Sequence, residues 1–146
     1  SIPSPLPGLG GQAGRDWRSK MALSVGVDII ELDRIRRVLE RHGERFLTRV
    51  YTSEEIARYG ERLPELAARF AAKEAVSKAL GVGLNHMSVH GIGWREVEVL
   101  PDPLGKPLVR LSGRAQQLAD EQGLREWAIS LSHSRDYAVA FAVASG

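Results

Sequence analysis

One stretch of this sequence leaves little choice of conformation. LPELAARFAAKEAVSKAL, residues 63–80, is rich in alanine and has no glycine or proline after its first turn. Pro64 suits that first turn, where a missing N–H removes no hydrogen bond. Gly81 is placed to end the helix in a left-handed cap. A helix of this length needs neighbours to cover it, and the rest of the chain offers short strands and shorter helices. LSVGVDI, from Leu23, reads as a strand ending at Asp28, and ELDRIRRVLERHGERFLTRV carries helical spacing up to Tyr51, with a break at Gly43. Thr52 and Glu55 form a capping-box pattern that opens a short helix ending near Gly60. GVGLNHMSVHGIG is a loop with four glycines. WREVEVL and KPLVRL read as strands around the turn PDPLG, Ser112 as the cap of a helix stopped by Gly123, and EWAISLSH and YAVAFAV as strands around Ser134-Arg135-Asp136. Hairpins instead of crossovers predict an α+β fold, a compact single domain with a largely antiparallel sheet packed against the long helix.

The chain has 146 residues, the size of one domain. Residues 1–20 are rich in Ser, Pro and Gly without a period, and read as a flexible leader, native or added by cloning, with Met21 as a plausible original start and the domain over 21–146. No apolar run is long enough for a membrane span, and the first twenty residues lack the apolar core of a secretory signal. With 0 Cys, disulfides, thiolate metal sites and cysteine nucleophiles are excluded. The expectation is a cytoplasmic protein.

Net charge is only +2, so wholesale nucleic-acid binding has weak support. The distribution is more informative. Arg34, Arg37, Arg41 and Arg45 form one stripe of a helix if Gly43 does not break it, and Ile35, Leu39 and Phe46 gather about 120° away to face the core. Such a stripe is either a solvated face, diluted by Glu31, Asp33, Glu40 and Glu44, or a dock for an acidic partner.

On the long helix, at about 100° per residue from Phe70, Glu74 falls at about 40°, inside the stripe of Leu63, Leu66 and Ala67, and Lys78 at about 80° on its edge. Lys73 falls at about 300°, between Leu66 and Leu80. A carboxylate on a packing face must be paired, bonded or coordinated, or else take up a proton. Glu74 and Lys78 are therefore either an i,i+4 surface pair or a metal carboxylate beside a phosphate-binding lysine. Asp28 is either a helix N-cap or a second hard oxygen donor; spacing alone does not bring it to Glu74. His133, at a strand end among hydroxyl residues, fits a structural role as well as a catalytic one, whereas His42, His86 and His90 lack metal-ligand spacing. The GVG after the helix is a poor phosphate loop by itself, since such loops precede helices.

These stretches together resemble the small bacterial class of 4′-phosphopantetheinyl transferases, the holo-acyl carrier protein synthases. The carriers of the resemblance are VGVDIIELDRI (25–35), FLTRVYTSEE (46–55), RFAAKEAVSKALGVG (69–83), WREVEV (94–99), LGKPLVRL (104–111) and ISLSHSRDYAVAFAV (129–143), in the family's order. The resemblance implies that Asp28 and Glu74 bind Mg²⁺, and that Lys78 contacts the phosphates of coenzyme A and assists departure of the leaving group. It implies that Gly105, Lys106 and Pro107 lie along the adenosine portion of the coenzyme, with His133 close by. Arg34, and less surely Arg41 and Arg45, fall where the family receives its acidic carrier protein. It further implies a homotrimer with active sites at subunit interfaces. Val82 stands where many relatives have Thr, so a hydroxyl contact there does not carry over, and the leader has no family counterpart.

The implied reaction moves the 4′-phosphopantetheine arm of coenzyme A to a serine of apo acyl carrier protein. It releases adenosine 3′,5′-bisphosphate and relies mainly on alignment and charge neutralisation. The implied base is a water activated by Glu74, ahead of Asp28 or His133. The competing readings are a small basic domain using its Arg helix on nucleic acid, which the low net charge and the lack of an aromatic RNA-binding motif disfavour, and a silent trimeric relative. No nucleic-acid or membrane partner is expected.

Overall fold

The computed structural model describes residues 22–84 and 91–146. The leader, Met21, His86 and His90 lie outside them. The elements run β1 (Leu23–Glu31), α1 (Leu32–His42), α2 (Glu44–Val50), α3 (Ser53–Tyr59), α4 (Leu63–Ala79), a 3₁₀ turn (Trp94–Glu96), β2 (Val97–Pro101), β3 (Pro107–Leu111), α5 (Gly113–Glu121), β4 (Glu126–His133) and β5 (Tyr137–Ser145). An antiparallel sheet of order β1-β5-β4 lies under α4, and β2 and β3 form a separate antiparallel hairpin. The α+β architecture expected from the sequence is the one observed.

Side chains alternate along the sheet as period 2 requires. Gly26 and Ile30 of β1 and Ala138, Ala140, Ala142 and Ala144 of β5 are buried against α4, which answers with Ala68, Ala71, Ala72 and Ala75. Small residues on both sides bring the layers close. A Cβ on Gly26 would stand 1.9 Å from the carbonyl oxygen of Ala75, so only glycine lets β1 approach the helix there. The opposite face is uncovered in the protomer: Val25, Val27, Ile29, Tyr137 and Phe141 are all exposed.

The local signals largely hold. Pro64 sits in the first turn of α4, and Gly81 ends it with φ +76. Thr52 and Glu55 make both capping-box bonds. Three details differ. β1 runs on past Asp28 to Glu31, which leaves Glu31 as the N-cap of α1 and Asp28 inside the strand. Trp94–Glu96 make a 3₁₀ turn before β2, where a strand was expected. Ser112 precedes α5 without a side-chain cap; the Glu96 carboxylate does that work, accepting the Arg114 N–H at 3.0 Å and the Gly93 N–H at 2.8 Å.

Candidate active site

Around α4, residues five apart are offset by about 140°, so Arg69 and Lys73 point to one flank and Glu74 and Lys78 to another. The two flanks meet different partners. Glu74 and Lys78 face β1, where the alternation turns Asp28 toward the helix and Gly26 lets the strand in close. The Lys78 ammonium donates to Asp28 Oδ1 and to the Val27 carbonyl oxygen, each at 3.0 Å. Burial is the first cause that pushes the Glu74 carboxyl above its usual pKa; the charge of Asp28 adds to it, and Lys78 and Arg34 work against it. The structure therefore answers what spacing left open. Asp28, Glu74, Lys78 and Arg34 share one neighbourhood, and Asp28 is not a helix cap.

Two neighbouring carboxylates at a partly exposed edge are a donor set for a hard divalent cation. No group of three or more His, Cys, Asp or Glu among the described residues could hold a metal. A cation that takes most of its ligands from water and phosphate, as Mg²⁺ does, needs only one or two protein carboxylates.

Beside this cluster, Arg34, Arg37 and Arg41 line an open pocket with Val38, Glu40 and His42. Arg37 is partly engaged by Asp33 at 3.2 Å. Arg45 is not part of it, because Gly43, at φ +51, ends α1 and starts α2 on a new axis. The stripe of four becomes a patch of three. Ile35, Leu39 and Phe46 face the core as expected.

The other flank of α4 holds a second site. The Asp102 Oδ1 accepts the N–H groups of Leu104 and Lys106 at 2.9 Å each, which shapes the β2–β3 turn and presents Gly105, Lys106 and Pro107. Those three residues line a cavity of about 410 Å³ with Tyr59, Arg69 and Ile129 among its walls. Register fixes its distance from Asp28. Leu131, another wall, and Asp28 both pair with Ala140, so they sit two strand spacings apart, about 9–10 Å, with α4 packed on this face of the sheet. His133 lies one inward position beyond Leu131, exposed at the end of β4. None of Asp28, Glu74, Lys78 or Arg34 lines the cavity.

Sequence reasoning put Glu55 in a capping box and Lys73 between two leucines but did not pair them, and it missed Arg69. Lys73 and Glu55 are both fully buried, and Lys73 Nζ donates to Glu55 Oε1 at 2.8 Å and to the Trp94 and Val97 carbonyls. Burial holds the Lys73 ammonium below its usual pKa, and Glu55 opposes this. The second Glu55 oxygen accepts the Val99 N–H at 2.9 Å, while Arg69 Nε donates to the Val99 carbonyl at 2.9 Å and its guanidinium stacks 3.7 Å from the Tyr59 ring centre. Basic residues four apart on one flank of an alanine-rich helix were the available signal.

The sequence profile of the 4′-phosphopantetheinyl transferase superfamily matches residues 24–142. A holo-[acyl-carrier-protein] synthase of Herpetosiphon aurantiacus is 52% identical over 126 residues, covering 85% of this chain and 99% of its own. Among solved structures, holo-[acyl-carrier-protein] synthase from Neisseria meningitidis aligns with TM-score 0.74 at 34% identity, over 84% of this chain and 98% of its own. The Helicobacter pylori synthase, solved in complex with coenzyme A, aligns with TM-score 0.73 at 30% identity, over 83% and 99%. With a profile match over most of its length, a relative at 52% identity and the fold of these solved structures, this chain belongs to the 4′-phosphopantetheinyl transferase superfamily and is a transferase of the holo-[acyl-carrier-protein] synthase type.

Proposed function

We propose that this protein transfers the 4′-phosphopantetheine arm of coenzyme A to a serine hydroxyl of an apo acyl carrier protein, using Mg²⁺ held by Asp28 and Glu74. The observation that carries the reading is the convergence of Asp28, Glu74 and Lys78 at an accessible edge, flanked by the Arg34 patch. When bound, Mg²⁺ supplies charge neutralisation at the pyrophosphate and at the phosphate that leaves. Lys78 adds a point charge at that phosphate. Glu74, whose surroundings favour proton uptake, takes the serine proton through a water as the serine Oγ bonds to phosphorus. The phosphorus–oxygen bond to adenosine 3′,5′-bisphosphate then breaks, and Lys78 offsets the charge left on it. Arg34 and Arg41, with Arg45 beyond the helix break, receive the acidic carrier.

The coenzyme spans two protomers of a homotrimer in this reading. Its reacting end lies at Asp28 and Glu74 of one subunit, and its adenosine end in the Gly105–Lys106–Pro107 cavity of a neighbour, near His133. Two observations support it. The two groups sit on different flanks of α4, and one sheet face exposes Val25, Val27, Ile29, Tyr137 and Phe141, a row of large apolar side chains of the kind that a subunit interface covers. No helix of the described residues is long and apolar enough to cross a membrane. In this reading the reaction takes place in the cytoplasm.

The test is mass spectrometry of apo acyl carrier protein incubated with this protein, coenzyme A and Mg²⁺. The carrier is expected to gain one phosphopantetheine arm, and to gain none with EDTA. Several carrier proteins left unmodified by the folded oligomer would overturn the reading.

A further inference from the structure

Lys78 serves phosphate and Asp28 serves the cation in the reaction above, yet in the free protein the two are bonded to each other. Lys78 Nζ lies 3.0 Å from Asp28 Oδ1 and 3.0 Å from the Val27 carbonyl oxygen. Carboxylate plus backbone carbonyl is the surrounding a hard cation seeks, so the ammonium stands on an oxygen that the metal needs. Its hold is loose. The Lys78 side chain is 54% exposed and Asp28 20%, and no neighbour packs Lys78 as Lys73 is packed. Two carboxylates against the Lys78 ammonium and the Arg34 guanidinium leave no net charge; adding a divalent ion beside the ammonium would make the cluster net positive, with like charges a few ångströms apart.

We propose that Lys78 is a tethered counter-ion that occupies Asp28 until a divalent cation displaces it, and that the phosphates of coenzyme A then accept the displaced ammonium. This rests on Asp28 and Glu74 being the metal carboxylates. Metal binding and coenzyme binding are thereby coupled, each strengthening the other by the same factor. The free enzyme binds its metal weakly for a structural reason, and the coenzyme removes it.

The experiment titrates the intact oligomer with Mn²⁺ and reads free Mn²⁺ by electron paramagnetic resonance, with and without coenzyme A. Without coenzyme, Lys78→Met is expected to bind Mn²⁺ tighter than the parent by about fivefold or more. Coenzyme A is expected to tighten Mn²⁺ binding to the parent, and to do so far less in Lys78→Met. Arg34→Met is the control for general charge, since Arg34 acts on Glu74 without a bond to Asp28. Equal gains in the two variants, or no gain in Lys78→Met, would overturn the inference while leaving the metal site standing. A parent that binds no Mn²⁺ even with coenzyme A present would sink both. A second reading on the unmodified protein covers a variant that misfolds. Amine acylation at Lys78, followed by peptide mass spectrometry, is expected to speed up when Mn²⁺ is added, and an unchanged rate would count against displacement.

Discussion

Helix α4 carries two lysine–carboxylate contacts five residues apart, Lys73 with Glu55 and Lys78 with Asp28. By distance they are nearly alike, at 2.8 and 3.0 Å. By surroundings they are opposites. Lys73 and Glu55 are wholly buried, and every donor of the ammonium has an acceptor: the Glu55 carboxylate and the carbonyls of Trp94 and Val97. Such a pair does nothing but hold, tying α3, α4 and β2 together. Lys78 is half exposed and binds one oxygen of a carboxylate that has Glu74 as its neighbour. Charge that is completely satisfied builds the fold; charge left partly unsatisfied at an edge is available for chemistry.

The sharpest break in that contrast is Glu74→Gln. It should lower transfer by about 10²–10⁴-fold while the fold, read by circular dichroism, stays intact. Normal Mg²⁺-dependent activity would remove Glu74 from the site. Lys73→Met should do the reverse, striking stability first. Leaving the Glu55 charge buried without its partner costs about 3–5 kcal/mol in chemical denaturation, and the double variant Lys73→Met/Glu55→Leu should recover part of that loss. Gly26→Ala joins the two regions. With backbone 1.9 Å from the new Cβ, β1 must move off α4, at a cost of about 1–3 kcal/mol, and Lys78 loses its reach to Asp28. Activity retained at parental level would show that the strand's position matters little to the cluster.

The smallest effect is a dependence on pH. Glu74 gives up its proton less readily when folded than when unfolded. Between the unfolded and folded pKa values the unfolded chain holds fewer protons, so stability falls as pH rises through that window. In EDTA, Glu74→Gln should therefore be more stable than the parent above the folded pKa, by less than about 1 kcal/mol after solvent screening. The advantage should vanish below the ordinary glutamate pKa. Thermal unfolding across pH checks this, and a constant gap would show that ionisation is not its source.

What could be read from the sequence was local. The capping box at Thr52 and Glu55, the turn at PDPLG and the breaks at Gly43 and Gly81 each need only a few adjacent residues. The end of β1 was hidden because Ile29 and Ile30 are both apolar, one facing solvent and one the core, so the alternation that marks a strand is erased. Ser112 looked like a cap because the group that replaces it, Glu96, comes from a distant turn. The wheel of α4 put Glu74 inside the apolar stripe and Lys73 beside it; in the fold Lys73 is the buried one, since α3 and the β2–β3 hairpin cover that flank as well as the sheet below. Asp28 and Glu74 could be joined by family resemblance, but their proximity is a tertiary fact.

The outer rim of β2 has a consequence for the life of the chain in a crowded solution. The Val97 carbonyl and both polar groups of the Val99 backbone are engaged by Lys73, Arg69 and Glu55. A rim already bonded to ionic side chains offers no template to a stray strand. The apolar sheet face thus stands open while this hairpin edge is closed to pairing with a further strand.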